Sequence, residues 1–152
     1  MNPEVFEGAC QCGEVTYRVT GHSMALFACH CADCQKQSSS AFGMALWVKQ
    51  PQLTLLSGTP HEWIRHTPSG RQTRCQFCPT CGTRLFHIPV GQDDLLSIKP
   101  GTLNDTAWLQ PVAHIWTVRA QPWMHLDESV LHYPGNPDGF SAMAEAWAAQ
   151  VR

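Results

Sequence analysis

The sequence predicts an all-β fold closed by one short C-terminal helix. Three observations carry this: short alternating segments run through most of the chain, turn residues separate them, and no long helical stretch interrupts them to supply parallel crossovers. The 152 residues fit one domain spanning the whole chain, since domains commonly hold about 100 to 150 residues. Ten Lys and Arg against twelve Asp and Glu leave a net charge of −2. That balance gives neither a basic footprint for nucleic acid nor an acidic tail, so polyanions are not expected partners. Charged residues make up only 14% and hydrophobic ones 43%, which excludes a disordered chain.

The first strand signal is Glu14–Thr20, whose alternation puts Val15, Tyr17 and Val19 on one face and which ends at Gly21. Met44–Val48, Leu53–Leu56, Glu62–His66, Arg84–Ile88, Leu95–Ile98 and Val112–Val118 read the same way. Between them Ser57-Gly58-Thr59-Pro60, Pro68-Ser69-Gly70, Pro89-Val90-Gly91 and Pro100-Gly101 mark turns, because their residues fix φ or tolerate positive values. Antiparallel pairing is the expectation. At the C-terminus Asn136 can cap a helix with Pro137 at its first position, and Phe140, Met143, Ala144, Trp147 and Val151 then recur at helical spacing.

Eight cysteines fall in three clusters, Cys10 and Cys12, then Cys29, Cys31 and Cys34, then Cys75, Cys78 and Cys81. Residues 1–4 carry no basic region before an apolar core, and no apolar run approaches the ~20 residues of a membrane span. A cytoplasmic protein without membrane contact is therefore expected, in which clustered thiols are metal ligands or catalytic groups more often than disulfides. Cys78-Pro79-Thr80-Cys81-Gly82 suits a metal-binding turn, with Pro79 fixing one φ and Gly82 free to adopt a positive one. Pairing Cys10 and Cys12 with Cys78 and Cys81 completes four sulfurs around a structural zinc, whose binding would contribute directly to folding. Disulfides or unligated core thiols are the alternative.

Cys29, Cys31 and Cys34 supply three close sulfurs and leave a fourth tetrahedral corner for water or substrate, the arrangement of catalytic zinc. Three thiolates on a dication leave a charge of −1, which favours holding an incoming thiolate over activating water. The alternative is a second structural site closed by Cys75 or a histidine. Otherwise Cys75 reads as a small buried hydrophobe. In an extended segment His30 points away from its two neighbours, so a supporting or core position is expected. Asp33 is expected to accept backbone donors in the turn. His114 and Trp116 share a strand face, either as core or beside the metal pocket.

Gly8-Ala9-Cys10-Gln11-Cys12-Gly13, Ala28 through Cys34, Ser38 to Phe42, Phe77 to Gly82 with Leu85, and Pro111 to Trp116 together resemble the glutathione-dependent formaldehyde-activating enzyme family, whose domain is shared with centromere protein V. The resemblance runs from about Gly8 to Trp123. It implies a β-tent fold of small antiparallel sheets and two Zn2+ ions per chain. One would be structural on Cys10, Cys12, Cys78 and Cys81, the other catalytic on Cys29, Cys31 and Cys34. It further implies a carbon–sulfur lyase that joins a small-molecule thiol, glutathione or similar, to formaldehyde or another small carbonyl compound as an S-hydroxymethyl-type adduct. Gln35 and Ser39 depart from the basic residue and the glycine often found at those positions, which loosens the link to a dicarboxylate thiol. Arg71 and Arg74 are candidates for carboxylate contacts, with a solvated surface position as the alternative. A non-catalytic zinc-stabilised thiol carrier or protein-binding module stands as the alternative function. A chromatin or microtubule module, suggested by the centromere relative, is opposed by the net charge. Homo-oligomer formation is left open.

Overall fold

The computed structural model describes residues 2–92 and 94–150. In chain order its strands are β1 (Val5–Ala9), β2 (Thr16–Thr20), β3 (Ala25–Cys29), β4 (Gly43–Lys49), β5 (Leu53–Ser57) and β6 (His61–His66), followed by β7 (Gln72–Phe77), β8 (Arg84–Pro89), β9 (Leu95–Ile98), β10 (Ala113–Ile115) and β11 (Leu131–His132). A short helix α1 (Ala32–Ser38) follows β3, and α2 (Ser141–Gln150) ends the described chain. Strands β1, β2 and β5 make a three-stranded sheet in that order, and the other eight make a second sheet ordered β11-β10-β3-β4-β9-β8-β7-β6. The all-β class with a short C-terminal helix is what the structure shows. No described helix is long and apolar enough to cross a membrane.

The core lies where alternation puts apolar side chains on the facing sides of the two sheets. Val15, Tyr17 and Val19 are fully buried, while Arg18 and Thr20 of the same strand are exposed. From the larger sheet, Phe86, Ile98 and Leu46 are successive cross-strand partners and equally buried. The Tyr17 ring meets Phe86 edge-on at 4.9 Å, a geometry worth about 0.5–1.5 kcal/mol beyond its buried area. Tyr17 also hydrogen-bonds Thr102 through its hydroxyl at 2.7 Å. On the opposite side of the larger sheet, Trp63, Cys75, His87, Ser97 and Trp47 align in one cross-strand row. Cys29 belongs to that side too, because Ala25 pairs with Trp47 and β3 alternates from Ala25 through Phe27 to Cys29.

Several elements differ from the sequence-based expectation. Pairing is antiparallel except at β10, which runs parallel to both β3 and β11. The Val112–Val118 strand is shortened to Ala113–Ile115, because Trp116 takes a left-handed conformation at φ 56° and a 3-10 turn follows over Thr117–Arg119. The C-terminal helix begins at Ser141, not after Asn136. Asn136 instead accepts a hydrogen bond from the Trp116 indole at 2.8 Å, and Phe140 lies against Trp47 with ring centroids 4.5 Å apart. Met143 and Trp147 of the expected stripe are buried, Trp147 donating to the Ser23 hydroxyl at 3.1 Å. Val151 lies outside the described residues.

Two backbone positions give direct tests. Gly8 sits in β1 under the Tyr17 ring, and a Cβ there would also lie 2.6 Å from the Thr102 carbonyl oxygen. Gly8→Ala should therefore destabilise the fold by about 1–3 kcal/mol, measured as a lowered urea midpoint. Ser39 closes α1 in the left-handed region at φ 54°, ψ 36°, where a Cβ costs about 1–2 kcal/mol and glycine avoids most of that cost. Ser39→Gly should raise the midpoint by up to about 1 kcal/mol after glycine's larger unfolded-state entropy is allowed for, with the denaturant slope unchanged.

Candidate metal centres and the adjoining cavity

The four sulfurs of Cys10, Cys12, Cys78 and Cys81 all lie within 4.8 Å of one another. Cys10 and Cys12 come from the loop before β2, Cys78 and Cys81 from the turn joining β7 to β8. The Cys10 and Cys12 sulfurs are 3.6 Å apart and those of Cys12 and Cys78 3.8 Å apart. A tetrahedral zinc with bonds of about 2.3 Å sets neighbouring sulfurs about 3.8 Å apart, whereas a disulfide needs about 2.05 Å. The geometry fits a metal, and all eight cysteines are free thiols. Local backbone prepares the cluster: the Val15 amide donates to the Cys10 sulfur at 3.2 Å and the Cys81 amide to Cys78 at 3.5 Å. Gly13 and Gly82 supply positive φ values where the two loops turn. The Thr83 hydroxyl and amide favour thiolate at Cys81, which is pushed down to about 5.

Cys29, Cys31 and Cys34 form the second cluster, their sulfurs also within 4.8 Å of one another. Cys29 ends β3, Cys31 caps α1, and Cys34 lies in its first turn. The Cys34 amide donates to the Cys31 sulfur at 3.3 Å. Hydrogen bonds from the Cys29 and Cys34 thiols hold Cys31 as a thiolate, pushed down to about 2, and the same sharing pushes Cys29 well up. Three soft sulfurs, one already anionic, suit a zinc ion. Among the described residues no fourth Cys, His, Asp or Glu joins this group.

Cys75 stays apart from both clusters. It is fully buried, lies between Trp63 and His87 across the sheet, and burial raises its thiol above the ordinary value. It is a core thiol. His30, also fully buried, turns away from its cysteine neighbours to meet His114, ring nitrogens 2.9 Å apart. Desolvation first, then the neighbouring imidazoles, lowers His30 and keeps it neutral. Asp33 does not accept turn amides as expected. Its carboxylate instead meets the Arg65 guanidinium at 2.6 Å, because α1 brings it over the β6 edge.

A cavity of about 580 Å³ opens onto Cys29, Cys31 and Cys34, walled by Trp47, Trp116 and Phe140. Arg65, Arg71 and Arg119 also line it. Of the two arginines singled out from sequence, Arg71 reaches this cavity, while Arg74 pairs with Glu62 at 2.9 Å. Arg65, Arg119 and Trp47 carry no sequence signal, since they come from β6, the 3-10 turn after β10, and β4, and no local spacing connects them. Gln35 cannot serve as an anion contact through its amide. Its Nε2 donates to the carbonyls of His30 at 2.8 Å and Arg119 at 3.0 Å, pinning the segment that carries Arg119.

Comparison with known proteins agrees with this geometry. No curated protein matches the chain. The fold is similar to the crystal structure of a Rhodobacter sphaeroides protein at 18% identity and a TM-score of 0.52, over 69% of this chain and 91% of that one. The sequence model described as "Glutathione-dependent formaldehyde-activating enzyme" matches residues 5–119, a span that contains all eight cysteines and the three cavity arginines. The chain belongs to the glutathione-dependent formaldehyde-activating enzyme family.

Proposed function

We propose that the protein is a zinc-dependent enzyme of the carbon–sulfur lyase class that adds a carboxylate-bearing thiol, glutathione or a close relative, to formaldehyde or a similar small carbonyl compound. The observation that carries this reading is a three-sulfur group at the wall of a peptide-sized cavity lined by three arginines. Cys10, Cys12, Cys78 and Cys81 would hold a structural zinc, and Cys29, Cys31 and Cys34 a catalytic one. Bound there, a zinc would keep an incoming thiol as its thiolate at neutral pH.

The chain's own residues supply the rest. Arg71 and Arg119 offer guanidinium forks to the substrate's carboxylates. Arg65, already paired with Asp33, keeps donors on its remaining edge. Trp47, Trp116 and Phe140 narrow the cavity and exclude water from the reacting atoms. The reaction is an addition: the thiolate sulfur forms a bond to the carbonyl carbon, the C=O π pair becomes the alkoxide, and the proton released by the thiol ends on that oxygen. A cytoplasmic setting suits eight reduced cysteines.

The test is exchange NMR of glutathione and formaldehyde with the zinc-loaded protein, alongside calorimetry with glutathione alone. Faster formation of the S-hydroxymethyl adduct supports the enzyme, while binding without acceleration assigns a thiol carrier instead. Metal analysis should give two zinc per chain, and Cys34→Ala should lower this to one without unfolding the protein. Arg71→Gln and Arg119→Gln should each raise the KM for glutathione about tenfold, as expected for a lost charged hydrogen bond. Neither should change the KM for cysteamine, which has no carboxylate, by more than about twofold.

A further inference from the structure

Buried charge on the cluster-bearing side of the larger sheet is not explained by protein ion pairs. Lys99 follows Ile98, the partner of Leu46, and its amide donates to the Leu85 carbonyl at 2.8 Å. Two residues beyond Ser97, it falls on the same sheet face as Ser97, Trp47 and Cys29. Arg84 pairs with Phe77 just past a register shift in the β7–β8 ladder, its guanidinium 5.7 Å from the Phe77 ring centroid, with Nη1 buried and without a hydrogen-bond partner. His87, the cross-strand partner of Ser97, is 9% exposed, and its Nε2 is likewise unpartnered.

Two ordinary partners for these cations can be set aside. The ion pairs formed by described carboxylates leave out both Lys99 and Arg84, since Asp33 holds Arg65, Glu62 holds Arg74, and Glu7 holds Arg18. Cys75 is held neutral by burial. Burial first, and then the neighbouring Arg84, lowers Lys99, while the sulfurs of Cys34, Cys75 and Cys29 oppose that effect. An isolated buried ammonium costs several kcal/mol unless an anion compensates it. Three thiolates on a dication carry −1, and a fourth from substrate makes −2. Lys99 and Arg84 together carry +2.

We infer that Lys99, supported by Arg84, is the counter-charge of the three-sulfur centre: its fixed ammonium, on the sheet face that carries Cys29, offsets the negative charge of the metal thiolates and of an incoming one. This rests on the zinc-enzyme reading above. Lys99 is a positioning residue in this scheme, acting through the thiolates without touching the carbonyl substrate. The four-cysteine cluster, two of whose members lie in the turn joining β7 to β8, is a separate group of sulfurs and serves as an internal control.

The experiment compares parent, Lys99→Met and Lys99→Arg by chelator competition for zinc, and by titrating glutathione into the cobalt-loaded proteins. Lys99→Met should weaken one of the two zinc sites about 10–100-fold, the range of a lost supporting partner. It should leave the other site and the unfolding midpoint near parental values and raise the half-saturating glutathione concentration by a similar factor. Lys99→Arg should recover both within about threefold. Equal zinc and glutathione affinities in Lys99→Met and parent overturn the proposal while leaving the enzyme reading intact. Selective zinc loss in Lys99→Met, with a parent that binds no thiol, supports the counter-charge and sinks the enzyme reading. If Lys99→Met does not fold, Lys99→Gln, which retains polarity and nearly the length, takes its place against the same criteria.

Discussion

Three sulfurs delivered by one short piece of chain can occupy only one side of a metal ion. Cys29 closes a strand, Cys31 caps the next helix and Cys34 sits in its first turn, so a metal held by all three would keep a side for the cavity that they line. The other cluster takes two sulfurs from each of two separate loops, which together would enclose a metal. The difference between the two groups is therefore one of chain topology. Both offer sulfur atoms with the same amide-to-sulfur support.

The sheets make that arrangement possible. Edge-on packing of Tyr17 on Phe86 fixes the small sheet against the large one, and the β7–β8 turn brings Cys78 and Cys81 to the loop before β2. The opposite side of the larger sheet carries Cys29 and the row from Trp63 to Trp47, in which Cys75, His87 and Ser97 lie between two tryptophans. Asp33 and Arg65 join α1 to the edge strand β6. An ion pair exposed to this degree contributes at most about 1 kcal/mol, so its main effect is to orient the helix that presents Cys34.

The strands with alternating residues were legible, and so were the clusters, because both signals are local. Tyr17 and Val19 fall on the buried face their spacing predicts. β3 was not anticipated, since Ala25–Cys29 is buried at every position and shows no period of two. β7 was hidden for the reverse reason, its Gln72–Phe77 sequence being mostly polar. The helix α1 is seven residues long, too short to set a period. The end of β10 depends on the left-handed Trp116, a conformation that no residue-type rule assigns to tryptophan. The arginine lining could not be read from sequence at all, because its members converge only when β6, the β6–β7 hairpin and the turn after β10 come together.

The two departures from the family pattern also acquire physical meanings. Ser39 occupies a left-handed helix cap, which explains why glycine suits that position. Gln35 gives its amide hydrogens to two backbone carbonyls, and positive charge enters the cavity from elsewhere. The central claim, a metal centre with room for one exogenous sulfur, is tested most directly by zinc X-ray absorption on the fully loaded protein. The predicted average is about 3.5 sulfurs per zinc alone, rising to about 4 with glutathione. An average of 4 in both states would show a centre already closed by the chain and would contradict the account.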